Sequence, residues 1–126
     1  MPSFRQKQGT NFENDVVRFL EARGYSILAT KYRVPLAAHG YRRRAWVEID
    51  ILSENPGDSS LWIVEAKNHC NAASSGLPLL SRAQYLRLMR ALQALRRKEP
   101  KRQVFWALAW RNPHGGVEFS PNPCYF

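Results

Sequence analysis

Two short runs, Val47-Glu48-Ile49-Asp50-Ile51-Leu52 and Leu61-Trp62-Ile63-Val64-Glu65-Ala66-Lys67, constrain this chain most, because each sets acids inside a stretch apolar enough to be buried. Runs of this length rich in Val and Ile read as β-strands, and Asn55-Pro56-Gly57-Asp58 between them is a turn signal. Alternation along a strand sets Glu48 and Asp50 on one face, with Val47, Ile49 and Ile51 on the other, and sets Glu65 beside Lys67. A carboxylate near an apolar interior costs on the order of several kcal/mol unless its charge is neutralised. A divalent cation together with a lysine neutralises it, so the pattern points to a metal-dependent site.

Asp50 and Glu65 can each give an oxygen to Mg²⁺, a hard cation that takes carboxylates and keeps several waters, and Mn²⁺ can substitute. The Ala66 carbonyl is a third candidate ligand. Lys67 can orient or deprotonate an attacking water, or stabilise charge building on a phosphate. The same residues also admit a plain reading, an ion pair of Lys67 with Asp50 or Glu48 that holds strand register. Glu48 is a second acid on the Asp50 face, and spacing leaves open which of the two meets the cation. His69 lies close to Lys67 and is a lesser candidate. Cys70 and Cys124 have neither zinc-site nor disulfide-framework spacing and read as reduced thiols.

The 126 residues suit one domain spanning residues 1–126. No run is apolar enough to span a bilayer, and residues 1–9 lack a signal-peptide core, so a cytoplasmic protein without a membrane partner is expected. The formal charge of +9 is uneven: residues 1–65 carry nine Lys/Arg against eight Asp/Glu, and residues 66–126 carry ten against two. Such a surface favours polyanions, of which nucleic acid is the commonest.

Along the chain, Phe12, Val16, Phe19 and Leu20 predict a helix over 11–23 that Gly24 stops. Thr10-x-x-Glu13 fits a capping box at its start, while Glu13 also borders the apolar stripe and can point towards a sheet. Strand-like residues 25–30 follow, then a hairpin of 32–34 and 41–53 around an irregular turn at 35–40. The strand at 61–67, a polar loop, a helix capped by Ser81 and running to Lys98, a central strand at 103–110 and a short edge strand at 117–119 complete an α/β chain. On the second helix Tyr85, Leu88, Met89, Leu92 and Leu95 form the buried stripe. Arg87, Arg90 and Arg97 fall roughly opposite, with Lys98 alongside, a row able to track a phosphate backbone. Arg42, Arg43 and Arg44 form a second basic cluster, which reads equally as a grip on nucleic acid or as flexible surface arginines. Tyr32, Tyr41 and Trp46 interleave with it and read as sheet residues, with base stacking the other option.

Gly9-x-x-Phe12-Glu13, then Gly24-Tyr25, then Glu48-Ile49-Asp50-Ile51 and Val64-Glu65-Ala66-Lys67 resemble the PD-(D/E)XK nuclease superfamily, in the order seen in Holliday-junction-resolvase-like and Mrr-type restriction endonuclease members. The resemblance covers most of the chain. It implies a restriction-endonuclease-like αβββαβ core, a mixed sheet flanked by helices. It also implies a Mg²⁺-dependent endonuclease acting on DNA, with Asp50 and Glu65 as metal ligands, Lys67 as the catalytic lysine and Glu13 reaching the metal through water. Two departures stand out: Ile49 replaces the proline that often precedes the acid, and Glu48 is additional. Gln84 falls where some relatives carry a functional glutamine. With no evident recognition module, the substrate is expected to be chosen by DNA structure, and cutting two strands suggests a homodimer. The competing readings are a non-catalytic nucleic-acid-binding module of this fold and an accessory subunit that docks a protein partner.

Overall fold

A computed structural model describes residues 4–36, 45–68 and 80–123, with side chains of the first helix from residue 11 onward. Helix α1 (Phe4–Ala22) begins before the predicted 11–23. The preceding Arg5, Gln6, Lys7 and Gln8 are strong helix formers, and Gly9 costs only about 1 kcal/mol inside a helix. Thr10 and Glu13 therefore lie in the helix interior, and the capping-box reading of that pair does not hold. Phe12, Val16 and Leu20 are buried as the stripe requires. The helix ends where Gly24 takes φ +90°, and the Tyr25 N–H returns to the Leu20 carbonyl at 3.0 Å.

Five strands follow in a single sheet of order β1-β2-β3-β4-β5: β1 (Ser26–Leu36), β2 (Ala45–Asn55), β3 (Ser60–Lys67), β4 (Val104–Arg111) and β5 (Val117–Pro121). β1, β2 and β3 are antiparallel neighbours, β3 and β4 run parallel, and β5 closes the far edge antiparallel to β4. Between β3 and β4 runs α2 (Arg82–Lys98), because a parallel pair needs a crossover. The mixed αβββαβ core is thus present, and β4, buried along Val104, Trp106, Ala107, Leu108, Ala109 and Trp110, lies inside the sheet.

The helices cover opposite faces. Leu88, Ala91, Leu92 and Leu95 of α2 pack on Val47, Ile49, Leu61, Ile63, Leu108 and Trp110. Phe12, Val16 and Leu20 of α1 pack on Ile51, Val64, Ala107 and Ala109. Ile49 and Ile51 thus serve opposite faces, which corrects the expectation that Val47, Ile49 and Ile51 share one. The break falls at Asp50: the β1–β2 register passes from Thr30–Ile51 to Tyr32–Ile49, and the residue across from Asp50, Lys31, has φ +50°. A left-handed lysine costs on the order of 1 kcal/mol and interrupts the pleat. No helix among the described residues is long and apolar enough to cross a membrane.

Candidate active site

The β2–β3 ladder runs from Asn55–Ser60 to Ile51–Val64 and stops there, so the strands part at Asp50 and Glu65. In place of the next rung, the Ala66 N–H donates to Asp50 Oδ2 at 2.8 Å. A strand residue turns its N–H and C=O to the same side, so the Ala66 carbonyl also faces this fork. The side chain of Glu65 lies on the α2 side of β3, with Leu61 and Ile63, and its carboxyl donates a hydrogen bond to Asp50.

Burial raises the Asp50 carboxyl above its ordinary value, opposed by the Ala66 N–H, the Glu65 hydrogen bond and the Lys67 charge. Burial and then the charge of Asp50 push Glu65 up to about 8, with Lys67 and Arg87 pulling the other way. Glu13, on α1, is raised first by burial and then by Asp50, with Lys31 lowering it and Glu48 adding to the rise. The helix acid thus faces the same fork. Among the described residues, the neighbouring cations leave these carboxylates short of positive charge.

Among the described residues no group of three or more His, Cys, Asp or Glu side chains is arranged to hold a metal. The donor set is instead two touching carboxylates and a carbonyl turned to the same gap. It is all oxygen and few in number, which fits a cation of the Mg²⁺ type that fills its remaining positions with water, and does not fit zinc.

A cleft of about 360 Å³ opens beside the fork, lined by Trp46, Val47, Glu48, Asp50 and Glu65 from the sheet and by Gln84, Arg87 and Leu88 from α2. Asp50, not the exposed Glu48, touches Glu65; Glu48 sits on the rim, across from Arg33 of β1. The Ser81 and Gln84 pair closes a capping box, with Ser81 N–H to Gln84 Oε1 at 2.9 Å and Gln84 N–H to Ser81 Oγ at 3.1 Å. Gln84 therefore has a structural task as well as a place on the cleft wall.

The basic row predicted on α2 divides. Arg87 is at the margin of the buried stripe, on the cleft, and not opposite it. Arg90 is exposed, while Arg97 and Lys98 line a second groove with Val34, Pro35 and Leu36, about three turns further along α2. Other cations of the basic half serve the fold. Arg96 donates to the Val104 carbonyl at 2.9 and 3.2 Å, and Arg102 binds Glu54 and the Ser59 carbonyl. Arg42, Arg43, Arg44, Tyr41 and His69 lie outside the described residues.

Two groups near the fork were not singled out from sequence. Arg111 at the end of β4 reaches Asp15 of α1 at 3.1 Å, Asn68 at 3.1 Å and the Gly115 carbonyl at 3.0 Å, and lies over the Phe12 ring. It ties α1 to the end of β3, one residue past Lys67. No local signal marks it as a tie to α1, since Asp15 and Asn68 are far along the chain. The other is Lys31, whose positive φ is equally unannounced in the sequence. Trp46, read as a sheet residue, is half exposed on the cleft rim, whereas Tyr32 does pack against the core under α2.

The model of a family described as uncharacterised protein family UPF0102 matches residues 12–107. The fold is similar to that of Hjc from Archaeoglobus fulgidus, a Holliday junction resolvase from an archaeal hyperthermophile, with a TM-score of 0.51 and 21% identity over 90% of this chain and 76% of that one. No curated protein matches the sequence. The fold is thus similar to that of this resolvase, as the motif order implies.

Proposed function

The chain belongs to the UPF0102 family, and on that premise we propose that it is a metal-dependent endonuclease that hydrolyses DNA phosphodiester bonds, guided by DNA structure rather than sequence. One observation carries the reading: a Glu65 carboxyl bonded to Asp50, itself held by the Ala66 N–H where the ladder stops, beside the charge of Lys67. Asp50, Glu65 and the Ala66 carbonyl would hold the cation, which when bound supplies Lewis-acid polarisation of the phosphate. The likeness to a Holliday junction resolvase supports DNA as the polymer.

The remaining work falls to the protein's own groups. Asp50 is fixed by its backbone hydrogen bond at Oδ2, so its other oxygen keeps one direction. Burial and Asp50 favour the protonated form of Glu65, and a bound cation would favour its ionised form. The Lys67 ammonium acts on both carboxylates and can orient the attacking water or stabilise charge on the phosphate. Arg87 meets the DNA backbone from the α2 wall and reads no sequence. Glu13 lies on the α1 side and orders water at the fork.

The test is cleavage of labelled plasmid, branched and single-stranded DNA with Mg²⁺, Mn²⁺ or EDTA, by wild type, Lys67→Ala and Asp50→Ala. Metal-dependent cutting lost in both variants supports the proposal. Tight binding without cutting under any metal replaces it with a binding module, and neither binding nor cutting replaces it with a protein-docking subunit.

A further inference from the structure

Trp46 is 50% exposed, one of three large apolar side chains so exposed among the described residues. The other two, Leu28 and Leu86, do not line the cleft, whereas Trp46 forms its rim at the start of β2. Its ring is also held: the Arg33 guanidinium lies 4.2 Å from the ring centroid, a cation–π contact made from the neighbouring strand. A large aromatic left half in water loses the gain of burial, and here its ring is held by that cation–π contact. Arg33 beside the ring supplies positive charge for a flexible backbone.

The geometry points to Trp46, braced by Arg33, as a stacking platform for an unpaired base. This makes the substrate class of the proposed nuclease site DNA that carries a single-stranded segment beside the cut, and it rests on that reading. A base buried in a continuous duplex stack has both faces covered and cannot use an indole, whereas every unstacked base can. Trp46 is four residues before Asp50, roughly 13 Å along a strand. That distance corresponds to about four stacked nucleotide rises, so the platform takes a base a few positions from the phosphate at the carboxylates.

The experiment measures binding of short single-stranded and continuous duplex oligonucleotides in EDTA, where nothing is cut. A 2-aminopurine reporter and a set of single abasic replacements are walked along the strand. Wild type, Trp46→Ala, Trp46→Phe and Arg33→Ala are compared, with circular dichroism as the folding control. Loss of the stack should weaken single-strand binding by roughly 5- to 150-fold in Trp46→Ala and leave duplex affinity unchanged. Trp46→Phe should retain most of the affinity, and Arg33→Ala should fall between. One abasic position should cost the wild type affinity and cost Trp46→Ala nothing. Equal single-strand affinity in wild type and Trp46→Ala would overturn the platform, as would a loss shared by duplex and lacking any sensitive position. Because cleavage is scored separately with Mg²⁺, a protein that stacks bases but cuts nothing sinks the nuclease alone, and one that cuts with Trp46 dispensable sinks the platform alone.

Discussion

In EDTA, this protein should lose stability as the pH rises from about 5 to about 8, the reverse of what its formal charge of +9 would give. The cause is Glu65, raised from 4.5 to about 8 by burial and by Asp50. An acid that holds its proton more tightly when folded contributes its full stability below the unfolded value. It loses that contribution as the pH climbs through the folded value. One extra proton bound by the folded pair gives a slope of about 1.4 kcal/mol per pH unit. Taken alone the shift corresponds to about 5 kcal/mol, and sharing one proton with Asp50 and solvent at the cleft mouth reduce the expected loss to about 2–4 kcal/mol. Urea unfolding at fixed ionic strength, repeated at intervals across this range, reads the slope directly. Glu65→Gln keeps the hydrogen-bonding shape without the charge, so it should be flat across the window and more stable than wild type at the upper end. The difference between the two proteins cancels every histidine they share. Adding Mg²⁺ at pH 8 should restore about 2.7 kcal/mol to wild type at a hundredfold excess over its Kd, and nothing comparable to Glu65→Gln. If wild type gains stability with rising pH, or Glu65→Gln follows it in parallel, Asp50 and Glu65 do not share a proton in a buried fork and the metal argument loses its basis.

Lys67→Ala should lower single-turnover cleavage by about 10²- to 10⁴-fold while leaving DNA affinity within a few-fold, measured by quench-flow and by filter binding. Arg87→Ala should weaken DNA binding and reduce the slope of log affinity against log salt by about one. Arg96→Ala should leave that slope unchanged and instead cost about 1 kcal/mol in urea unfolding, because Arg96 is bound to the Val104 carbonyl. Gly24→Ala should cost about 1 kcal/mol or more, since φ +90° at the end of α1 is open to glycine and strained for alanine, and a thermal melt will show it. Sedimentation of the DNA-bound protein should give the mass of a dimer if two sites cut two strands, and a purely monomeric complex at working concentration counts against that arrangement.

Strand alternation and turn chemistry made most of the elements legible: β3, the Ser81-capped α2 ending at Lys98 and the interior β4 are all read from local pattern. The start of α1 was not, because Phe4 to Gly9 show no apolar period, and helix formers there extend the helix past a plausible cap. For the candidate site, acids inside apolar runs nominated Asp50 and Glu65 with Lys67 beside them, because such acids are costly wherever the chain folds, and the family resemblance added Glu13. What the sequence left open was which acid, Glu48 or Asp50, enters the fork, since strict alternation treats them alike. That choice belongs to Lys31, whose left-handed backbone breaks the pleat opposite Asp50, and to the Ala66 N–H that takes the Asp50 carboxylate where the ladder ends. Arg96, Arg102 and Arg111 look in sequence like surface charge, but only the packed structure brings each to an oxygen it can bind. Patterns with a period of two or of a helical turn are written in neighbouring residues, and so the sequence holds them. Contacts between residues scores of positions apart depend on where the sheet and its two helices finally meet, and only the tertiary structure decides them.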